Sequence, residues 1–453
     1  MAVSTPASSP ALPDVERHTV MPRGFRAGGW TAGIKASGRP DLGLVVAPQG
    51  ASAAAVFTPN AFAAAPVKLS RANLAATSGE PLGGYGYANV IVSTSGSANA
   101  ATGADGAADQ ARVGAFVSDA LGVEQPRVLH LSTGIIGTRL PLDMVERGIQ
   151  ALAAQLGDDD GSLASVAEAL RTTDSVAKIA STTVVLPADD GEPVAVTVTG
   201  IAKGVGMIHP NMATMLSIVL TDAAAPPDVL WSLLRPAAAR TWDQLSVDGD
   251  TSTNDTVFVL ASGASGAAPV RADSPGALAL GAALEAVARD LARQQAADGE
   301  GATILITTSV RGAHDDADAR AVARAVVSSS LVKAAAHGKD PNWGRIAGAA
   351  GNAVTASEAV LGAAGLAPAD AAARASQPVS LDPDRLRIWI AGHLVFDGPQ
   401  GGPLQFDRGA ARAAMDAPEL LIELDLGLGD GVGEAFGCDL TQEYVIENSE
   451  YTT

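Results

Sequence analysis

The stretch from Lys203 to Ser217 concentrates the residue types best suited to chemistry. Gly204 and Gly206 are followed by His209, Pro210 and Asn211, then by Ala213-Thr214 and an apolar run from Leu216 to Leu220. One reading is a glycine-rich turn entering a strand. The other treats Ala213-Thr214 as a strained junction at the strand start. There the Thr214 hydroxyl can attack the carbonyl of Ala213, so that the peptide passes through an ester and hydrolyses. Thr214 then becomes a new N-terminus, and its α-amine, with a pKa of about 8, can act as general base for its own hydroxyl. That removes the usual obstacle to a Thr nucleophile, whose hydroxyl is weak at neutral pH.

Other chemistries find less support. No GxGxxG sits between a strand and a helix, and neither GxxxxGK[ST] nor HExxH occurs. Lys203-Gly204-Val205-Gly206 has the glycines of a phosphate-cradling loop, but no Lys-Ser/Thr pair follows. The six histidines, His18, His130, His209, His314, His337 and His393, show no ligand spacing, so no metal is expected. Lone Cys438 allows no internal disulfide and reads as a small buried hydrophobe. Asp248, Asp250, Asn254 and Asp255 form an acidic-polar cluster without the spacing of a calcium loop. A structural turn fits them better. His337 to Arg345 reads as a loop that shapes a site.

Composition narrows the partners. The 453 residues are 47% hydrophobic and 17% charged, and Asp+Glu minus Lys+Arg, 49 − 30, gives a net charge of −19. Nucleic acids and anionic membranes want a basic surface, so neither is an expected partner. The N-terminal stretch has no basic region followed by an apolar core and does not read as a signal peptide. Leu42 to Val67 is uncharged but is interrupted by Pro48, Pro59 and Pro66, which argues against a membrane span. A cytoplasmic location is the expectation.

The elements that must position these residues alternate along the chain. Apolar, β-branched runs predict strands at 43–47, 89–93, 127–132, 194–199, 216–220, 256–261, 303–308 and 419–425. Ala-rich stretches predict helices at 109–121, 142–156, 161–171, 227–240, 275–296 and 317–336. Their mixture implies a layered α/β or α+β architecture. Residues 1–20, rich in Ser, Pro and Ala at their start, read as a disordered lead-in.

Taken together, the ordered segments resemble the ornithine acetyltransferase family, the glutamate N-acetyltransferases of arginine biosynthesis. The resemblance runs from about Met21 to Thr453. It is carried by Gly24-Phe25-Arg26-Ala27, Gly33-Ile34-Lys35, Ser95 to Ala100, Ser132 to Gly137, Thr172-Thr173-Asp174 and Lys203 to Leu216. Further along it is carried by Val247 to Asp255, Gly299 to Thr303, His337 to Arg345 and Asn448 to Thr453. Ser95 to Asn99 departs from the family's asparagine-containing pattern, and segments 157–161 and 263–273 look like added surface length.

The resemblance implies an N-terminal-nucleophile-like fold of the ornithine acetyltransferase and aminopeptidase type. It implies cleavage at Ala213-Thr214 into chains 21–213 (after the lead-in) and 214–453. Thr214 matches the nucleophile, and Thr133 with the Gly134 N–H matches the oxyanion hole. Thr172, Lys203, Thr214, Glu300, Asn448 and Thr453 match substrate-binding positions, with Thr173 as the alternative to Thr172. The implied reaction moves the acetyl group of N2-acetylornithine onto Thr214 and then onto glutamate, without a cofactor. Acetyl-CoA stays open as a second acetyl donor. The implied assembly has two copies of each cleaved chain. Two other readings compete: an N-terminal-nucleophile amidase or aminopeptidase that gives the acyl group to water, and a non-catalytic binding protein that stays uncleaved.

Overall fold

The computed structural model describes residues 11–187, 192–209, 215–363 and 365–450. Fifteen strands alternate with helices along these residues. In chain order the strands are β1 (Arg26–Trp30), β2 (Leu42–Phe57), β3 (Tyr85–Ser97), β4 (Val128–Ile135), β5 (Lys178–Leu186), β6 (Val194–Lys203), β7 (Leu216–Thr221) and β8 (Leu245–Ser246). There follow β9 (Thr256–Ala261), β10 (Leu305–Ala313), β11 (Arg387–Ile390), β12 (His393–Asp397), β13 (Gly402–Pro403), β14 (Glu419–Asp425) and β15 (Gly431–Cys438).

The strands form two sheets. The first has the order β4-β3-β2-β9-β7-β6-β5, with β1 paired to β2, and the second has the order β13-β12-β11-β14-β10-β15-β8. β9 lies between β2 and β7, so the first sheet draws its middle from both sides of the Ala213-Thr214 junction.

Side-chain alternation explains the layers. Along β7, Leu216, Ile218 and Leu220 face one core, shared with Val67 and Leu74 of the helix Ala65–Ser78. Val219 faces the other, shared with Leu284, Val287 and Leu291 of the helix Pro275–Ala297. That helix also reaches Phe436 and Cys438 of the second sheet, so it lies between the two sheets. Gly200 on β6 lets it approach: a Cβ there would stand 2.7 Å from both Leu291 and Val287. The outer face of the second sheet is covered by the helices Asp316–Val327, Ser330–His337 and Trp343–Gly351.

The α/β class expected from the alternation is the one observed. Several expectations need correction. The predicted helix 317–336 is two helices, because Ser329 breaks it and caps the second by accepting the Val332 N–H. The lead-in 1–20 is ordered over its described half: Glu16 pairs with Ser181, and the Thr19 hydroxyl donates to the Asp160 carbonyl. Its backbone groups find partners in the main fold, which the Ser/Pro/Ala composition did not signal.

Segment 157–161 is likewise not added surface length. Gly157 exchanges backbone hydrogen bonds with Ala27, and Asp159 caps the helix Asp160–Leu170. Within 263–273, Gly263 and Val270 donate to Ala223 and Ala224. Strands β1, β5, β8, β11, β12, β13 and β15 escaped prediction. β5 opens on a lysine, and β15 is interrupted by three glycines.

Candidate active site

β4 and β6 bring the first groups together. β4 runs parallel to β3, with Gly134 opposite Gly96. Gly134 has a φ of 127°, and a Cβ there would lie 2.4 Å from the Gly96 carbonyl carbon. Only glycine permits that approach. The Asn254 amide donates to the Ala98 and Ser132 carbonyls, at 2.7 and 2.8 Å, and so fastens the end of β4 beside Thr133. From the last position of β6, Lys203 Nζ donates to Thr133 Oγ1 at 3.3 Å. Both side chains are buried.

A second group gathers around Glu300. The Thr173 hydroxyl donates to Glu300 Oε1 and the Asn448 amide to Glu300 Oε2, each at 3.0 Å. The carboxylate lies against Gly206, where a Cβ would fall 2.2 Å from Oε2. Asn448 reaches it because the C-terminal helix Gln442–Glu450 is tied down, with the Thr441 hydroxyl donating to the Gly301 carbonyl. The Tyr444 hydroxyl also meets Asp248, and burial raises that hydroxyl's pKa well above its ordinary value.

Between the two groups lies a buried charge cluster. Lys178 Nζ donates to Asp174 Oδ1 at 2.6 Å and also to Asp298. Asp174 accepts the Gly204 N–H at 2.7 Å and the Thr172 N–H at 3.2 Å. Lys203 Nζ stands 3.9 Å from Asp174 Oδ2. Burial alone would raise the Asp174 pKa, but Lys203 and Lys178 outweigh it and hold the carboxyl down at about 2. Burial lowers the pKa of Lys203, and Asp174 opposes that shift. Lys35 is a neighbouring half-buried amine, brought down to about 8 mainly by partial burial. It donates to the carbonyls of Pro40, Ala169 and Arg171.

The acidic-polar cluster has the turn role expected of it. Asp248 accepts from the Met207, Ile208 and Asp250 N–H groups. Asp255 accepts the Met215 N–H at 3.0 Å, and burial holds its pKa well above the ordinary carboxylate value. In the loop His337 to Arg345, His337 meets Asp439, Asn342 caps a helix and Trp343 packs on Phe396. Asp439 also accepts from Thr303, so the loop supports the strand that follows Glu300. Cys438 is buried, as expected.

Of the candidates from the sequence, Thr133, Gly134, Lys203, Glu300 and Asn448 fall into this region. Ala213, Thr214 and Thr453 lie outside the described residues. In the Thr-Thr-Asp segment, the Thr173 hydroxyl donates to Glu300, while Thr172 gives its backbone N–H to Asp174. The sequence reading missed Asp174, Lys178 and Asp298 as a unit. The one signal was a lysine at the head of an otherwise uncharged β-branched run, Lys178 to Leu186.

Chemically, the arrangement sets the Lys203 ammonium beside the Thr133 hydroxyl, next to the point where Gly134 passes close to Gly96. An anionic oxygen suits the first set. The Glu300 carboxylate, which accepts two side-chain hydrogen bonds among the described residues, suits a substrate cation.

The family model described as the ArgJ family matches residues 26–453. The chain is 41% identical over 449 residues to the arginine biosynthesis bifunctional protein ArgJ of Synechocystis sp., covering 97% of this chain and 98% of that protein. It is 41% identical over 433 residues to the protein of the same name from Thermus thermophilus, covering 96% and 99%. Among solved structures it is similar to the ornithine acetyltransferase of Mycobacterium tuberculosis complexed with ornithine. That match has 34% identity and a TM-score of 0.37, and covers 44% of this chain and 98% of the other.

Proposed function

Because the chain belongs to the ArgJ family, we propose that it transfers the acetyl group of N2-acetylornithine to glutamate through an acetyl-Thr214 intermediate. Acetyl transfer in arginine biosynthesis is the family's activity. The steps and residue roles are the reading developed from it. The observation that carries the reading is the Lys203–Thr133 contact, placed at the end of β6, on the segment that leads to Thr214.

Cleavage at Ala213-Thr214 frees the Thr214 amine, which takes the hydroxyl proton as that oxygen attacks the acetyl carbonyl. Thr133 and the Gly134 N–H receive the developing oxyanion. Ornithine leaves with the proton, and the glutamate amine then attacks acetyl-Thr214 and regenerates the hydroxyl. One site serves both amino acids because they share an α-amino-acid core. Lys203 receives a carboxylate or acyl oxygen, and Glu300, with Thr173 and Asn448, receives an ammonium. Splitting the transfer into two acyl steps predicts ping-pong kinetics. Acetyl-CoA as a second donor, an assembly with two copies of each cleaved chain, and a cytoplasmic location belong to the same reading. Among the described residues, no helix is long and apolar enough to cross a membrane.

The test is direct. Purified protein should show two chains, the second beginning at Thr214, and should convert N2-acetylornithine and glutamate into ornithine and N-acetylglutamate. Thr214→Ala should abolish both cleavage and transfer. Hydrolysis that glutamate does not accelerate would return the amidase reading, and a single uncleaved chain would defeat the mechanism.

A further inference from the structure

Three loops bearing candidate substrate groups meet at one buried lysine. Lys178, its side chain fully buried, bridges Asp174 and Asp298. Asp174 holds the loop of Thr172 and Thr173 through the Thr172 N–H, and the loop after Lys203 through the Gly204 N–H. Asp298, two residues before Glu300, accepts the Ser175 N–H at 3.0 Å. The Gln295 amide adds a bond to the Lys203 carbonyl at 2.9 Å.

The two lysines share Asp174 unequally. Lys178 stands at 2.6 Å and Lys203 at 3.9 Å, while Lys203 is 3.3 Å from Thr133 Oγ1. A carboxylate already paired with one lysine keeps a second one charged without drawing it into contact. The Thr133 oxygen accepts from the ammonium, so its own hydrogen points elsewhere. Thr133 is thereby fixed as a donor.

We propose that Asp174, Lys178 and Asp298 are positioning residues for acyl transfer, holding the Lys203 ammonium on Thr133 so that the Thr133 hydroxyl donates to the oxyanion. The inference rests on the functional reading above and extends it to three residues that do not touch the substrate. The charged groups acting on Lys203 come from every side. They are Asp174 before β5, Lys178 on β5, Glu300 after the helix Pro275–Ala297, Asp255 before β9, and Lys35 in the loop after β1. Burial favours the neutral amine, and Asp174 is the largest opposing influence.

The experiment uses the full self-processed enzyme and Asp174→Asn, which keeps a carbonyl acceptor and removes the charge. Acetyl transfer from N2-acetylornithine to glutamate is followed from about pH 6 to about pH 10. The expected kcat falls by about 10- to 100-fold, less than for outright loss of an oxyanion donor because Thr133 itself remains, while KM changes by less than about threefold. The basic limb of the kcat/KM profile moves to lower pH by about half a pH unit or more, because Lys203 loses its main counter-charge. A purely structural role would lower the amount of active enzyme and leave that limb in place.

Unchanged kcat with an unmoved basic limb overturns the inference, as does a loss confined to KM. If Asp174→Asn does not fold, Asp298→Asn decides. It should lower kcat by about three- to tenfold in the same pattern, and an unaltered enzyme would overturn the inference. A parent enzyme that transfers no acetyl group defeats the functional reading as well. An active parent beside an unaltered variant defeats this inference alone.

Discussion

Around Lys178 and around Arg408 the chain forms ion pairs of similar length in opposite surroundings. Lys178 and Asp174 meet at 2.6 Å with both side chains fully buried, whereas Arg408 and Asp340 meet at 3.1 Å with side chains 63% and 39% exposed. Lys339–Asp416, also on the second sheet's side, is exposed in the same way, and Arg311–Asp425 is partly so. An exposed pair exchanges solvent for a partner at little net gain. A buried pair must replace all the hydration it loses, so each charge depends on its partner. In the buried cluster the same bonds also set the places of Lys203, Thr173 and Glu300. The charge is therefore most costly where the proposed chemistry needs it.

That contrast can be broken in three ways. The largest effect is expected from Lys178→Met, which leaves the buried Asp174 and the half-buried Asp298 without their shared cation. Stability in denaturant titration should fall by about 3–5 kcal/mol. A loss below about 1 kcal/mol would mean that the cluster is wetter than its geometry implies.

A middling effect is expected from acid. Asp174 titrates near 2 in the fold against an ordinary value of 3.8, so its stabilising contribution is present above about pH 4 and is lost as pH falls towards 2. The stability gap between the wild type and Asp174→Asn should narrow over that window. A constant gap would remove the charge from the explanation. The smallest effect belongs to Arg408→Ala, which should shift stability by about 0–1 kcal/mol and leave transfer unchanged. A larger loss would make the exposed pairs equal to the buried ones.

Legibility in the sequence followed the range of the interaction. Strands β7, β9 and β14 matched expectation closely because their short apolar runs are a local signal. The helix Pro227–Arg240 matched because its Pro start and Ala-rich body are local too. β5 was missed, since a charged first residue contradicts the pattern of a buried strand until its partners are known. The split at Ser328-Ser329 was missed because each half keeps the helical period. Thr172 and Thr173 were separated only by the resemblance, because neighbouring side chains in a loop carry no period that tells them apart. Only the loop's conformation sends the Thr173 hydroxyl to Glu300.

The sequence by itself determined the family, the residue types available for acyl transfer, the Ala213-Thr214 junction and the alternation of strand and helix. These reside in ordered motifs and short periods, which a linear string retains. Tertiary structure alone decided which distant polar side chains meet. Lys178 meets Asp298 across 120 residues, Lys203 meets Thr133 across 70, and Asn448 meets Glu300 across 148. Nothing in residue type separates these lysines and carboxylates from those left in solvent. Burial separates them, because only a folded interior removes the water that would otherwise make every such pair equivalent.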